Sequence, residues 1–237
     1  MDRKAVVTGS SSGIGNSIAK KLLNDGWEVW GISRTETKNL VGNSRFHQIT
    51  FDLSATSEIK TMTEKLPEKI NLLINNAGLW ELVLLKDITL KHLDRTINLN
   101  LKAPIYLTSL LLPRLLSGSL VINISSIMSQ YTESEYGVYA ATKAGIDRFT
   151  TTLAKEKKDL KVLAILPSAT DTPANRNVLG KSEDYSKYLT PDQIADIAMR
   201  AVSGEFSSGD LIVVNNTNFL GMWEEKDKYQ IINVDKS

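Results

Sequence analysis

The chain has 237 residues, 28 Lys and Arg against 27 Asp and Glu, and no cysteine. That length suits one α/β domain with a single well-buried core, and the missing cysteine excludes disulfides, thiolate nucleophiles and cysteine-ligated metals. Near-balanced charge without a basic stripe speaks against nucleic acid as a partner; no apolar run approaches the roughly 20 residues of a membrane span and no signal-peptide core precedes Gly9, so a cytoplasmic protein with no membrane partner is expected.

Short β-branched runs alternate with longer amphipathic stretches, the pattern of βαβ units feeding a parallel sheet. Strands are predicted at Ala5–Thr8, Glu28–Ile32, Phe46–Phe51, Asn71–Ile74, Leu120–Ile124, Val162–Leu166 and Leu211–Val214. Several are almost wholly apolar, as strands covered by helices on both faces should be. Helices are predicted at about Gly15–Asp25, Ser57–Leu66, Leu90–Leu116, Tyr139–Lys157 and Pro191–Val202. The second has two candidate capping boxes, Ser57–Lys60 and the better Thr61–Glu64, which leaves its start open. The expected fold is one α/β domain, a doubly wound and mostly seven-stranded parallel sheet with helices on both faces. Only the tail after Asn215, with its charged run Glu224–Lys228, reads as loosely attached.

The first strand runs straight into Thr8-Gly9-Ser10-Ser11-Ser12-Gly13-Ile14-Gly15, and a helix follows at once. Glycines there let the backbone turn tightly and approach a pyrophosphate, whose charge meets free N–H groups at the positive end of the helix. Taken alone the motif also reads as an ordinary Gly/Ser-rich turn, and its glycine spacing differs from G-x-G-x-x-G.

Three further segments occur downstream: Asn75-Asn76-Ala77-Gly78 after the fourth strand, Asn123-Ile124-Ser125-Ser126 thirteen residues before a tyrosine, and Tyr139-Ala140-Ala141-Thr142-Lys143. With Thr8–Gly15 they resemble the signatures of the short-chain dehydrogenase/reductase family over about residues 4–214. The resemblance implies a single Rossmann-like domain, a nicotinamide cofactor and a catalytic set of Asn100, Ser126, Tyr139 and Lys143. Asn98 competes with Asn100, and Ser125 with Ser126, whose spacing to Tyr139 favours it. It further implies that Gly9, Ser11, Ser12, Gly13, Ile14 and Gly15 line the pyrophosphate, and that Asp52 meets the adenine with Leu53 beside it. Asn76, Ala77 and Gly78 would run along the adenine-side ribose. After the sixth strand, Pro167, the Thr170 backbone and the Thr172 hydroxyl would hold the carboxamide, with Ser168 in place of the usual glycine. Substrate would meet Ser126, Tyr139 and Trp80, in a pocket also walled by Met128, Tyr131, Tyr136 and Ala174–Leu189. A homodimer or homotetramer is the family's default.

The chemistry explains these residue types. A free tyrosine with a pKa near 10 is a poor proton shuttle at neutral pH, and Lys143, one helical turn after Tyr139, places a positive charge where it favours the phenolate. Ser126 stands to hydrogen-bond the oxygen on which charge develops. Asn100 holds a water in the family, and a backbone cap or bridge is its other reading. Asp52 serves equally as an N-cap.

At the end of the second strand Ser33 replaces the carboxylate that would read a ribose 2′-hydroxyl, and Arg34 follows with a fork suited to phosphate, so the cofactor expected is NADP (NADPH). The pocket lacks an obvious cation, which favours a neutral ketone, aldehyde or diketone. His47 and His92 have no partner at ligand or triad spacing, so no metal is expected, and the missing Gly-x-Ser-x-Gly elbow argues against a hydrolase. The leading reading is an NADPH-dependent carbonyl reductase; its rivals are an NAD-dependent alcohol dehydrogenase and a non-catalytic NAD(P)-sensing protein.

Overall fold

Ala5, Val6 and Val7 are all fully buried although successive strand residues point to opposite sides, so the first strand is covered on both faces. The computed structural model describes residues 3–215 and 229–232. Its strands are β1 Lys4–Thr8, β2 Glu28–Ser33, β3 Phe46–Thr50, β4 Ile70–Asn75, β5 Leu115–Ile124, β6 Lys161–Pro167, β7 Leu211–Val214 and β8 Tyr229–Ile232. They form one sheet in the order β3-β2-β1-β4-β5-β6-β7-β8. The seven expected strands are parallel, and β8 is added antiparallel to β7. That edge strand corrects the count of seven, and it arises from the tail read as loosely attached.

The helices are α1 Gly13–Asn24, α2 Ile59–Thr63, α3 Leu90–Ile97, α4 Ala103–Leu111, α5 Gly137–Glu156, α6 Pro173–Leu179 and α7 Pro191–Val202. Ile18 and Leu22 of α1 and Ile194 and Ile197 of α7 bury one sheet face together with Ala5 and Val7. Met62, Leu107 and Leu153, from α2, α4 and α5, bury the other with Val6. Each such side chain taken from water contributes about 1.5–3 kcal/mol, which makes these two layers the main support of the site above them.

The expected helix Leu90–Leu116 is broken. After α3 comes one π turn, Asn98–Lys102, before α4 begins. Pro104 explains the break: in an unbroken α-helix its ring would meet the carbonyl of Asn100, and its missing N–H would leave that carbonyl unpaired. Pro113 then ends the helical run, and Leu115–Leu116 belong to β5, not to a helix. Neither candidate box caps α2, which starts after a 3-10 turn at Thr56–Glu58. A capping box does form at α7, where Thr190 Oγ accepts the Gln193 N–H at 3.3 Å and Gln193 Oε1 accepts the Thr190 N–H at 2.7 Å.

Because β1 neighbours both β2 and β4, the chain winds outward in two directions from the β1/β4 pair, and a crevice opens at the carboxyl ends of those strands. Thr8–Gly15, Asn75–Gly78, Ser125–Ser126 and Pro167–Thr172 all follow strands at that end.

Candidate active site

Gly9 adopts φ +70° and Gly13 φ +56°, both in the left-handed region that favours glycine. A Cβ at Gly9 would stand 2.6 Å from Asn76 Nδ2 and 3.1 Å from Ala77 Cα, so β4's end lies directly against the loop. Asn76 Nδ2 donates to Thr8 O at 2.9 Å, and the N–H groups of Asn76 and Ala77 donate to Thr8 Oγ at 2.8 and 2.9 Å. Ser12 stands at the N-cap of α1 without a capping side chain, which leaves first-turn N–H groups free for an anion. Ile14 packs against the α1/α7 core, and Ser11 and Ser12 lie at or near the surface. A narrow glycine cradle before an uncapped helix fits a dinucleotide pyrophosphate.

At the outer end of the crevice, Ser33 Oγ is buried, donating to Thr35 O at 2.7 Å and accepting from Gln48 Nε2 at 3.1 Å. Arg34 is exposed and makes no ion pair among the described residues. Asp52 Oδ1 accepts both the N–H and the hydroxyl of Ser54, the turn-capping alternative. Partial burial raises its pKa, but Ser54, Arg34 and Arg95 outweigh that and hold the carboxyl below its usual range. Leu53 is buried in the core beside them.

At the inner end, the first three turns of α5 carry the reacting candidates. Lys143 Nζ donates to Ile124 O at 2.9 Å and lies 5.6 Å from the centre of the Tyr139 ring. Gly78 lies close by: a Cβ there would be in ordinary contact, 3.6 Å from Lys143 Nζ and 3.5 Å from Asn100 Oδ1. Burial pushes the Tyr139 phenol up to about 12, although a hydrogen bond from Ser126 pulls the other way. Burial likewise pushes the Lys143 ammonium down to about 8, with Asp147 opposing. Ser126 Oγ accepts the Met128 N–H at 3.2 Å, which fixes it at the turn after β5.

Asn100, delivered by the π turn, takes the bridging role. Its Nδ2 donates to Leu79 O at 2.7 Å, its Oδ1 accepts the Leu79 N–H at 2.8 Å, and Nδ2 also reaches Thr142 Oγ at 3.3 Å. It thus clamps the segment after Gly78 to the helix bearing Tyr139. After β6, Thr172 Oγ accepts the Asn175 N–H as the N-cap of α6, and its methyl lies 3.2 Å from where a Gly13 Cβ would be. Thr170 pairs with Leu189 and its carbonyl accepts from Asn175 Nδ2 at 2.6 Å. Pro167 is buried, as is the Ser168 hydroxyl, which has no partner among the described residues.

Trp80 stacks on Tyr136 with centroids 5.6 Å apart, and Tyr139 lies 6.5 and 6.3 Å from them. Glu135, just before Tyr136, holds φ 71°, and its carbonyl accepts the Val83 N–H at 3.0 Å. That strained residue ties the Trp80 loop to the start of α5. His47 and His92 each pair with a glutamate, Glu28 and Glu81, and not with Ser126 or Tyr139. The sequence reading missed Asp147, buried one turn beyond Lys143, though the i, i+4 spacing was there to be seen.

A glycine cradle at the β1/β4 crevice, with serine, tyrosine and lysine gathered at its inner end, defines a nicotinamide-dinucleotide oxidoreductase. The profile of the short chain dehydrogenase family matches residues 3–183. An oxidoreductase of Staphylococcus saprophyticus is 33% identical over 218 residues, covering 85% of this chain and 91% of that one. Benzil reductase ((S)-benzoin forming) of Bacillus subtilis is 32% identical, covering 70% and 74%. Among solved structures, a short-chain dehydrogenase of Burkholderia cenocepacia in complex with NADP superimposes with TM-score 0.81 at 24% identity, over 90% and 96% of the two chains. A 3-ketoacyl-(acyl-carrier-protein) reductase of Brucella melitensis complexed with NADH does so with TM-score 0.81 at 22%, over 90% and 97%. The chain belongs to the short-chain dehydrogenase/reductase family, oxidoreductases that use NAD(P). No helix among the described residues is long and apolar enough to cross a membrane.

Proposed function

We propose that this protein is an NADPH-dependent reductase of neutral ketones or aldehydes, with Tyr139 as the proton donor. The observation that carries the reading is the meeting of Ser126, Tyr139 and Lys143 at the inner end of the crevice. When bound, the nicotinamide would supply hydride for the carbonyl carbon. Tyr139 gives its phenolic proton to the carbonyl oxygen, and Ser126 donates a hydrogen bond to that oxygen as charge develops on it. A phenol pushed up to about 12 by burial carries its proton at neutral pH and so has one to give to the carbonyl oxygen. Lys143 holds the ribose side and afterwards steadies the phenolate.

The rim chemistry supports a neutral substrate with aromatic character. Trp80 and Tyr136 offer apolar ring faces, while Glu133 and Glu135 act on Tyr136 and Glu183 accepts the Tyr188 hydroxyl at 2.9 Å. Arg176 is occupied by Asp171, at 2.5 and 2.7 Å. Lys187 likewise pairs with Asp184 at 3.5 Å, so the arginine and this lysine of the wall are already matched by carboxylates, which makes a neutral substrate the better fit. The Bacillus relative acts on benzil, a neutral aromatic diketone. Purified protein is expected to oxidise NADPH with aryl ketones or diketones and to leave keto acids nearly untouched. Tight NADPH binding with no turnover on any carbonyl would replace this reading with the sensor one.

The NADPH preference rests on the absence of a carboxylate at Ser33 and the exposed Arg34. At least about tenfold higher kcat/KM with NADPH than with NADH is expected, equivalent to about 1.4 kcal/mol. The double variant Ser33→Asp, Arg34→Leu is expected to reverse the order. Equal efficiency with NADH in the natural protein would show that Arg34 does not read the phosphate.

We further propose a homodimer or homotetramer built on α4 and α5, where Tyr106, Ala141 and Ala144 face outward. Light scattering at micromolar concentration is expected to give at least twice the chain mass; a monomer mass would refute it.

A further inference from the structure

Asp147 is only 5% exposed, yet it carries a carboxylate into the side of α5 that faces the turn after β5. Its Oδ2 accepts from Gln130 Nε2 at 2.9 Å, while Oδ1 is buried without a hydrogen-bond partner. The same Gln130 amide reaches Ser129 Oγ at 3.2 Å, and Ser129 Oγ donates to the Ser126 carbonyl at 2.8 Å. Ser125 Oγ donates to the carbonyl of Lys143 at 3.2 Å. A chain of contacts therefore runs from Asp147 to the backbone of Ser126, and Lys143 lies one turn away on the same helix.

Burying a carboxylate is costly, and an apolar side chain of similar size usually packs as well or better. Retention of the charge asks for a reason beyond packing. The groups acting on Asp147 are the neutral Ser125, Ser129 and Gln130 from the turn and the charged Lys143 from its own helix; the one charged group acting on Lys143 is Asp147. No cation or carboxylate of the neighbouring α3 or β6 takes part. Asp147 and Lys143, both buried, lie one helical turn apart on the same side of α5 and act on each other as opposite charges.

We propose that Asp147 is a positioning residue for carbonyl reduction, holding the Ser126 turn against α5 through Gln130 and setting a carboxylate one helical turn from Lys143. The proposal rests on the reading of Tyr139 and Lys143 as the reacting pair. Losing the Asp147 charge makes Lys143 shed its proton at lower pH, so the alkaline fall in activity begins earlier.

The test compares Asp147→Asn, which keeps shape and an acceptor for Gln130, with Gln130→Ala, which cuts the relay and leaves the charge. Asp147→Asn is expected to keep or raise Tm and to move the alkaline limb of kcat/KM down by about half a pH unit, a threefold loss of the ammonium form on that limb. NMR titration of the Lys143 ε-carbon in the cofactor-free protein is expected to show its midpoint moving the same way. Gln130→Ala is expected to lower kcat by about threefold with the limb unmoved. An unchanged Lys143 midpoint in Asp147→Asn, or equal movement of the limb in both variants, overturns the proposal. Wild-type activity in Tyr139→Phe would instead remove the reading beneath it, whereas an inactive Tyr139→Phe with an unshifted Asp147→Asn removes the proposal alone.

Discussion

Tyr139→Phe is expected to lower the turnover of carbonyl reduction by about 100-fold or more while leaving NADPH affinity within about twofold. The substitution deletes one oxygen and keeps the ring. That ring is what Trp80 and Tyr136 pack near, at 6.5 and 6.3 Å, and what Lys143 Nζ approaches at 5.6 Å, so the walls of the site stay in place. The lost oxygen is the proton donor: Ser126 can hydrogen-bond the substrate oxygen but is far too weak an acid to protonate it, and the Lys143 ammonium is held by the Ile124 carbonyl at 2.9 Å. Lys143→Ala should behave differently, weakening NADPH binding as well as turnover, because it removes a group proposed to face the ribose. Steady-state rates and fluorescence titration of NADPH separate the two variants. Wild-type turnover in Tyr139→Phe would end the mechanism.

The sheet was legible because its strands carry their own signal. Val6, Leu73, Val121 and Val162 belong to runs that are apolar on both sides, which only a strand buried on both faces needs. β8 was not, since Tyr229-Gln230-Ile231-Ile232 is short, follows a charged run and owes its conformation to β7. What holds it is equally non-local: Tyr229 hydrogen-bonds Glu205 at 2.9 Å, and Arg200 lies 4.6 Å from its ring centre. The π turn illustrates a different failure. The apolar pattern runs on across Pro104, so the predicted helix took no account of it, and only the backbone shows that the break turns Asn100 toward Leu79.

The site divides the same way. Its glycines, Ser126, Tyr139 and Lys143 were legible as motifs at fixed spacing, whereas Asp147 was passed over because an acid on a helix normally faces water. Ser33 shows the limit of position alone: the missing carboxylate was readable, but the inward turn of the hydroxyl toward Gln48 was not.

Gly15→Ala is expected to raise the NADPH dissociation constant by at least about 100-fold and to lower Tm by about 5 °C. Gly15 is the third residue of α1 and is buried against the loop that precedes the helix. A Cβ there would collide with the carbonyl oxygen of Gly9 and with Asn76 Nδ2, and would stand 2.9 Å from the Gly9 carbonyl carbon. Two of those atoms are backbone in a loop fixed by its bonds to β4, and Asn76 is held by Thr8 O, so none can swing aside as a flexible side chain would. The helix must therefore move away from the loop. Overpacking of this kind costs about 1–3 kcal/mol of stability. The damage to binding is larger, because free N–H groups aimed at a pyrophosphate lose their alignment when the helix shifts. Gly137→Ala is the control: a Cβ at the start of α5 meets nothing within 4 Å, so stability should change by less than about 1 kcal/mol. Wild-type NADPH affinity in Gly15→Ala, measured by fluorescence titration, would show that the pyrophosphate does not bind between this loop and α1.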